Sequence, residues 1–198
     1  MTKKLLMGNE AFAHAALEAG VRVVAGYPGT PSSELIETVA KLHADGAARG
    51  IHVEWSTNEK SALELLAGAS YTGARCLFTC KQVGLNVASD ALMSLNYVGV
   101  KGGMVLFVAD DPGPISSQTE QDTRRFASFA KLPVLDPATP DQGFDMMHGK
   151  VFLTARGNFT FSRNKLLDND EPDWEYILIA ASKRSFSSEH GGSSFWIS

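Results

Sequence analysis

The sequence predicts an α/β domain built on a three-layer parallel sheet with helices on both faces. Short runs of β-branched and apolar residues alternate with longer helical segments through the first two-thirds of the chain. Each helical segment is long enough to serve as the crossover between two parallel strands. The strand predicted at 104–109 is apolar throughout, as expected for a strand buried on both faces.

The elements follow one another in a regular order. Apolar residues recur at helical spacing in the segment from 31 to 48, where Leu35, Ile36, Val39 and Leu42 share one face. The other helices are expected at 10–19, 58–71, 83–97 and 121–131, with a further helix beginning at 140. Strands are expected at 21–25, 51–55, 75–80, 104–109 and 133–135. Ligands of such sheets bind beyond the carboxyl ends of the strands, so the loops after the strands are the expected site.

This alternation ends near His148. Residues 151–198 are rich in Ser, Asn, Phe and charged residues, and only 174–181 is predicted to form a strand. We therefore divide the chain into a domain over residues 1–147 and an atypical tail over 148–198, for which we expect poor order. The abrupt loss of periodicity leads to the hypothesis of a truncated or frame-shifted gene product.

Composition narrows the class of function. With 198 residues, of which 44% are hydrophobic, the chain supports one sizeable core. A formal net charge of −4 argues against a nucleic-acid partner, which would require a basic face. No run approaches the ~18 apolar residues of a membrane span, and the N-terminus lacks a secretory pattern. We expect a cytoplasmic protein without a membrane partner.

The two cysteines are interpreted as buried, reduced thiols. Cys76 and Cys80 fall in one predicted strand and on the same face of it. A metal or cluster site needs about four ligands, and no further cysteine is present, so no metal site is expected in this chain. The paired Asp110 and Asp111 lack the spacing of a cation site, which favours a polar loop.

Two polar loops are candidates for the site. In the first, Thr30 is the predicted N-cap and Pro31 the first helical residue, so the turn either binds a polar or anionic ligand group or is an ordinary capped turn. In the second, Ser56 and Glu59 have the spacing of a capping box, although Glu59 could instead be a buried acid facing the ligand. Residue pattern alone favours the structural role in both loops.

Four stretches together resemble one family. They are GYPGTPSSE at 26–34, VEWSTNEK at 53–60, KQVGLNVA at 81–88 and ADDPGPISSQTEQD at 109–122. In this order and spacing they are similar to the N-terminal part of the alpha subunit of indolepyruvate:ferredoxin oxidoreductases, over about residues 5–147. Each stretch alone is weakly specific, whereas the ordered set is specific.

The resemblance implies a thiamine-diphosphate-binding fold and the domain that holds the aminopyrimidine ring. It makes Glu59 the catalytic acid that hydrogen-bonds the pyrimidine N1′, and it places Gly29, Thr30 and Gln82 at the cofactor. An acid beside N1′ favours the imino tautomer, whose nitrogen removes the thiazolium C2 proton. The functional role of Glu59 is therefore favoured over the capping role.

The complete enzymes of this family decarboxylate arylpyruvates such as indolepyruvate oxidatively, giving acyl-CoA and reduced ferredoxin. Their Mg²⁺ and [4Fe–4S] sites lie in parts that this chain lacks, since no Gly-Asp-Gly loop and no Cys-x-x-Cys motif is present. The resemblance thus implies a diphosphate-binding domain or second subunit as partner, with ferredoxin, CoA and a small 2-oxoacid. The alternatives are a non-oxidative decarboxylase of alpha and beta subunits, such as sulfopyruvate decarboxylase, and a non-catalytic remnant.

Overall fold

The computed structural model of the chain describes residues 5–111, 113, 115–140, 142–143 and the backbone of Tyr176–Ser182. Its strands are β1 (Val23–Gly26), β2 (His52–Trp55), β3 (Cys76–Lys81), β4 (Met104–Asp110), β5 (Val134–Leu135) and β6 (Tyr176–Ser182). Its helices are α1 (Gly8–Glu18), α2 (Ser33–Ala44), α3 (Glu59–Tyr71), α4 (Gln82–Val98) and α5 (Thr123–Phe129). The helices and strands predicted up to residue 135 are confirmed, with ends that differ by up to four residues.

The strands form one parallel sheet in the order β2-β1-β3-β4-β6-β5. Gly26 at the end of β1 pairs with Trp55 of β2 on one side and with Thr79 of β3 on the other. The chain therefore leaves β1 for β2 and then crosses back over β1 to reach β3. In a sheet wound in this way, a ligand binds where the loops of adjacent strands diverge, which here is the carboxyl ends of β1 and β3.

Helices cover both faces of the sheet, as the sequence predicts. On one face, α3 and α4 pack against alternate residues of the central strands, which include Phe78, Met104 and Leu106. On the other face, α1 and α2 pack against the intervening residues, and the rings of Phe12 and Phe107 meet at 4.8 Å between centroids. This two-sided burial explains why β3 and β4 are apolar along almost their whole length.

The two cysteines lie where the sequence predicts them. Cys76 and Cys80 are buried, unpaired and part of the core beneath α3 and α4. Gly20, predicted to stop the first helix, follows α1 with φ of +81°, a left-handed conformation that suits glycine. Within the described residues, no helix combines the length and the apolar character that crossing a membrane requires.

The strand predicted inside the tail is present. The backbone of Tyr176–Ser182 forms β6, which pairs with β4 from Met104 to Asp110 and with β5 at Val134 and Leu135. This strand thus contributes to the same sheet as the first five, although it lies within the segment 148–198 that the loss of periodicity sets apart as a tail. The poor order expected for the rest of 148–198, and most of the helix expected from 140, lie outside the described residues.

Candidate site at the carboxyl edge of the sheet

Glu59 is the first residue of α3, and it does not form the capping box that its spacing allows. The N-cap of α3 is Asn58, whose side-chain oxygen accepts a hydrogen bond from the Ser61 amide at 2.8 Å. Ser56 instead donates weakly to Glu54, at 3.4 Å. The capping-box interpretation of Ser56 and Glu59 is therefore wrong, because Asn58 caps the helix two residues further along.

The Glu59 side chain is held against the start of α4 rather than in solvent. The residue is 8% exposed. A Cβ built on Gly84 would lie 2.4 Å from Oε1 and 2.9 Å from Cδ of Glu59, so the carboxyl group rests directly on the glycine. Among the described residues, no group donates a hydrogen bond to this carboxylate. Glu59 is thus a buried acid whose oxygens remain available to a ligand.

The loop after β1 differs from the prediction at its helix start. Helix α2 begins at Ser33 with Ser32 as its N-cap, so the prediction that Thr30 is the N-cap is wrong. The turn is closed by Gly29, whose amide donates to Ser33 Oγ at 2.9 Å and whose carbonyl accepts from the Ser32 amide and hydroxyl, both at 2.8 Å. Thr30 does not cap the helix; it is exposed, and its peptide bond to Pro31 is cis.

Gly29 contacts a residue that the sequence does not single out. Lys81 ends β3, and its aliphatic stem packs on Gly29 so closely that a Cβ there would lie 3.2 Å from Lys81 Cδ. The ammonium Nζ reaches the amide oxygen of Gln118 at 3.2 Å. Lys81 therefore joins the loop after β1 to the loop after β4. Lys81 directly precedes Gln82, a predicted cofactor-binding residue, and this position is the feature of the sequence that indicates a place at the site.

Gln82 is fully buried, and its side chain binds the loop after β4. Its amide nitrogen donates to the Thr119 carbonyl at 3.0 Å, and its amide oxygen accepts from Ser117 Oγ at 3.3 Å. Gln121 adds a longer bond to the Gln82 carbonyl, at 3.4 Å. These contacts fasten the segment 117–121 to the start of α4. Gln82, which was predicted to bind the cofactor, thus lies at the carboxyl edge of the sheet, but its side chain is hydrogen-bonded to the loop after β4.

The two aspartates after β4 hold their own loop. Asp111 Oδ2 accepts from the amide and hydroxyl of Ser116, at 2.7 and 2.9 Å, and these bonds lower the pKa of Asp111. Among the described residues, no group of three or more His, Cys, Asp or Glu side chains is arranged to hold a metal ion. The hydrogen bonds from Ser116 support the interpretation of Asp111 as part of a polar loop.

Asp110 is buried and only half satisfied. Its Oδ2 accepts from the Thr123 hydroxyl at 2.8 Å, whereas Oδ1 is buried and has no hydrogen-bond partner among the described groups. Burial raises the pKa of Asp110 to about 6, against the opposing effect of the Thr123 hydrogen bonds. Burial also raises the pKa of the Cys80 thiol, and the neighbouring charges of Glu59 and Asp110 raise it further. Cys80 is thus a buried, neutral thiol.

The structure therefore brings the sequence-predicted residues to one edge in two groups. Glu59 lies with Gly84 and Cys80, where α3 meets α4. Gly29 lies with Lys81, where the loop after β1 meets the end of β3. Thr30 follows Gly29 in the loop of the second group, and it is exposed.

The chain is similar to proteins of one known family. The family described as pyruvate flavodoxin/ferredoxin oxidoreductase, thiamine diphosphate-binding, matches residues 14–151. The indolepyruvate oxidoreductase subunit IorA of Pyrococcus abyssi is 50% identical over 143 residues, which make up 72% of this chain and 22% of that subunit. The same subunit from Thermococcus kodakarensis is 51% identical over 142 residues, 72% of this chain and 22% of its own length.

More distant relatives are also oxidoreductases of 2-oxoacids. The ketoisovalerate oxidoreductase subunit VorA of Pyrococcus horikoshii is 44% identical over 92 residues, 46% of this chain and 23% of its own. A 2-oxoglutarate:ferredoxin oxidoreductase from Magnetococcus marinus, solved with 2-oxoglutarate, coenzyme A and succinyl-CoA bound, superimposes with a TM-score of 0.66 at 17% identity, covering 89% of this chain and 29% of that one. This structural likeness supports the fold. The chain spans about a fifth of the length of the IorA subunits.

Proposed function

We propose that this chain, which belongs to the thiamine diphosphate-binding family of pyruvate flavodoxin/ferredoxin oxidoreductases, supplies the aminopyrimidine side of a thiamine diphosphate site. The observation that carries the proposal is the Glu59 carboxyl group. It is buried at the carboxyl edge of the sheet, and no described group of the protein donates a hydrogen bond to it. A buried acid left in this way is stabilised when a ligand supplies the missing partner.

The residues present fit the group that the family binds. Gly84 leaves room for the Glu59 carboxyl because a Cβ there would lie 2.4 Å from Oε1. A ring nitrogen of an aminopyrimidine would accept a hydrogen bond from the protonated Glu59 carboxyl group, which has no hydrogen-bond partner among the described groups. Gly29 and Thr30, in the loop after β1, would form a second wall of the site. Gln82 would act through the segment 117–121, which it holds in place over the start of α4.

The chemistry divides between cofactor and protein. Bound thiamine diphosphate supplies the electron sink that decarboxylation of a 2-oxoacid requires. Glu59 would hold a proton on its carboxyl group and share it with the ring nitrogen that it faces. The apolar core beneath α3 and α4 would shield this proton from bulk water, which strengthens the hydrogen bond.

The rest of the reaction would need other parts of an enzyme. The relatives are several times longer than this chain, and the described residues hold no metal-binding cluster. We therefore assign the diphosphate group, Mg²⁺ and the [4Fe–4S] clusters to a diphosphate-binding domain or second subunit. Ferredoxin would accept the electrons and CoA the acyl group. We propose arylpyruvates as substrates because the indolepyruvate relatives match more of this chain than the ketoisovalerate relative does.

Glu59→Gln tests the proposal in the full chain assembled with its diphosphate-binding partner. The experiment measures exchange of the thiazolium C2 proton of bound thiamine diphosphate into D₂O by NMR. We expect exchange to slow by about 10²- to 10⁴-fold, because an amide cannot share a proton as the acid does. Binding of the cofactor should change much less.

Glu64→Gln is the matched control. Glu64 lies on the exposed face of the same helix, 3.9 Å from Lys60, and should leave the exchange rate unchanged. Equal exchange rates for wild type and Glu59→Gln would contradict the proposed role of the acid.

A further inference from the structure

Lys81 lies across the point where the loops after β1 and β3 diverge. It is the last residue of β3 and the N-cap of α4, with extended backbone at φ −83° and ψ 166°. The residue is half-buried, and its stem lies on Gly29. This contact directs the aliphatic chain along the loop after β1 and restricts the positions that the ammonium group reaches.

The ammonium group contacts a neutral amide group rather than a carboxylate. Its Nζ contacts the neutral amide oxygen of Gln118 at 3.2 Å. The other cations at this edge have carboxylates: Lys60 pairs with Asp90 at 2.7 Å, and Arg124 pairs with Asp122 at 2.9 Å. Within the described residues of the carboxyl edge, Lys81 is the cation that no carboxylate neutralises.

We infer that Lys81 binds the carboxylate group of the 2-oxoacid substrate. The inference rests on the proposed function, since that function brings a small anionic substrate to this edge. A carboxylate is a stronger partner for an ammonium group than a neutral amide, and charge-assisted hydrogen bonds are roughly twice as strong as neutral ones. An incoming substrate therefore displaces the Gln118 oxygen at a net gain.

The proposed role of Lys81 also explains why residue 29 is a glycine, in addition to the geometry of the turn. A Cβ at this position would lie 3.2 and 3.3 Å from Cδ and Cγ of Lys81, closer than ordinary van der Waals contact. A larger residue would push the lysine stem away from the loop. The glycine thus positions the cation that receives the substrate.

The test compares three variants of the full chain in the assembled enzyme. Lys81→Met keeps the length of the stem and removes the charge, and we expect the KM for phenylpyruvate to rise about 10- to 100-fold, as loss of a hydrogen bond between charged groups predicts. The kcat should fall less. Lys81→Arg should restore most of the affinity, and Lys60→Met, at a neighbouring lysine paired with Asp90, should leave KM unchanged.

An ammonium group also binds phosphate, which both thiamine diphosphate and CoA carry. Two further measurements distinguish binding of the substrate carboxylate from binding of these phosphates. The Kd for thiamine diphosphate and the KM for CoA should both stay within about two-fold of wild type in Lys81→Met. A rise in either constant with an unchanged KM for phenylpyruvate would overturn the assignment, as would an unchanged KM alone. Thermal melting of each variant verifies that a raised KM does not reflect a lost fold.

The two proposals fail separately. If Glu59→Gln slows proton exchange while Lys81→Met leaves the KM for phenylpyruvate unchanged, only the role of Lys81 is wrong. If Glu59→Gln leaves exchange unchanged, the proposed function fails and the inference about Lys81 fails with it.

Discussion

Two acidic corners lie at the same edge of this sheet, and they differ in how the protein treats their carboxyl groups. At the corner between β4 and α5, Asp111 and Asp110 accept hydrogen bonds from their own loop and from Thr123. At the corner between β2 and α3, Glu59 is as well buried as Asp110 but accepts no hydrogen bond from any described group.

The difference separates a structural acid from one available to a ligand. Asp111 is saturated by Ser116, so it stabilises the loop and has little to offer a substrate. The Glu59 carboxyl group is packed against Gly84 and accepts no hydrogen bond from a described group. The Glu59 oxygens are therefore open to a partner from outside the protein at this edge of the sheet.

Gly84→Ala should give the largest effect by displacing the Glu59 carboxyl group without changing the acid itself. The added methyl group would lie 2.4 Å from Oε1, so the carboxyl group must move. Misplacement of a catalytic group by about 1 Å costs on the order of 10²-fold in rate. We expect a loss of this size in turnover by the assembled enzyme, measured with phenylpyruvate. A turnover equal to wild type would show that the position of Glu59 does not matter.

Thr123→Val tests the structural corner. The hydroxyl of this fully buried residue donates to Asp110 Oδ2 at 2.8 Å, and valine has nearly the same shape. Loss of a hydrogen bond to a charged group should lower the free energy of unfolding by roughly 1.5–3 kcal/mol, measured by urea denaturation at neutral pH. Thr57→Val, at an exposed position, is the control and should stay within about 0.5 kcal/mol of wild type.

The pH dependence of stability should have opposite sign at the two aspartates. Burial raises the pKa of Asp110 to about 6 from an ordinary value of 3.8, so the folded state binds more protons than the unfolded state between these values. The contribution of Asp110 to stability is therefore greatest below about pH 4 and declines as the pH rises toward 6. Relative to wild type, Asp110→Asn should become more stable over this range.

Asp111→Asn should show the reverse trend. Hydrogen bonds from Ser116 lower the pKa of Asp111 below 3.8, so its contribution is present at neutral pH and is lost as the pH falls through the folded value. The deficit of Asp111→Asn should thus be larger at pH 6 than at pH 3. Urea denaturation of both variants across this range checks both signs, and parallel curves would contradict the contrast between the two residues.

Gly68→Ala is the smallest change and the counterpart of Gly84→Ala. Gly68 is exposed in the interior of α3, and a Cβ there meets nothing within 4 Å. Replacing a helical glycine with alanine should raise the free energy of unfolding by roughly 0.5–1 kcal/mol, measured by urea denaturation. Turnover should not change. A loss of turnover like that of Gly84→Ala would mean that any glycine substitution disturbs the enzyme.

The fold could be predicted from the sequence because a sheet that is buried on both faces requires strands that are apolar along their length. Apolar strands such as 104–109 and regularly spaced helices predict the parallel sheet, and the resemblance to indolepyruvate:ferredoxin oxidoreductases is confirmed by the family match and the IorA relatives. The pairing of β6 between β4 and β5 was not accessible, because strand order depends on contacts between segments far apart in sequence.

The site was accessible only in part. Glu59 was identified through resemblance, since its spacing from Ser56 equally suits a capping box, and the choice of Asn58 as the N-cap is a local competition that the pattern does not decide. Lys81 was missed because lysine is usually a solvated surface residue. Its significance arises from packing on Gly29, which lies on a different strand–helix loop.

The position of β6 has a consequence for biosynthesis. In the part of the chain that the structure describes, β6 is the neighbour of β4 on the side away from β3, and it begins about 65 residues after β4 ends. At roughly 5–20 residues per second, a ribosome needs several seconds to deliver that strand. During this interval the apolar edge of β4 has no neighbour, and an uncovered edge can recruit a second nascent chain. The sheet is therefore completed on this side only after β6 has been synthesised.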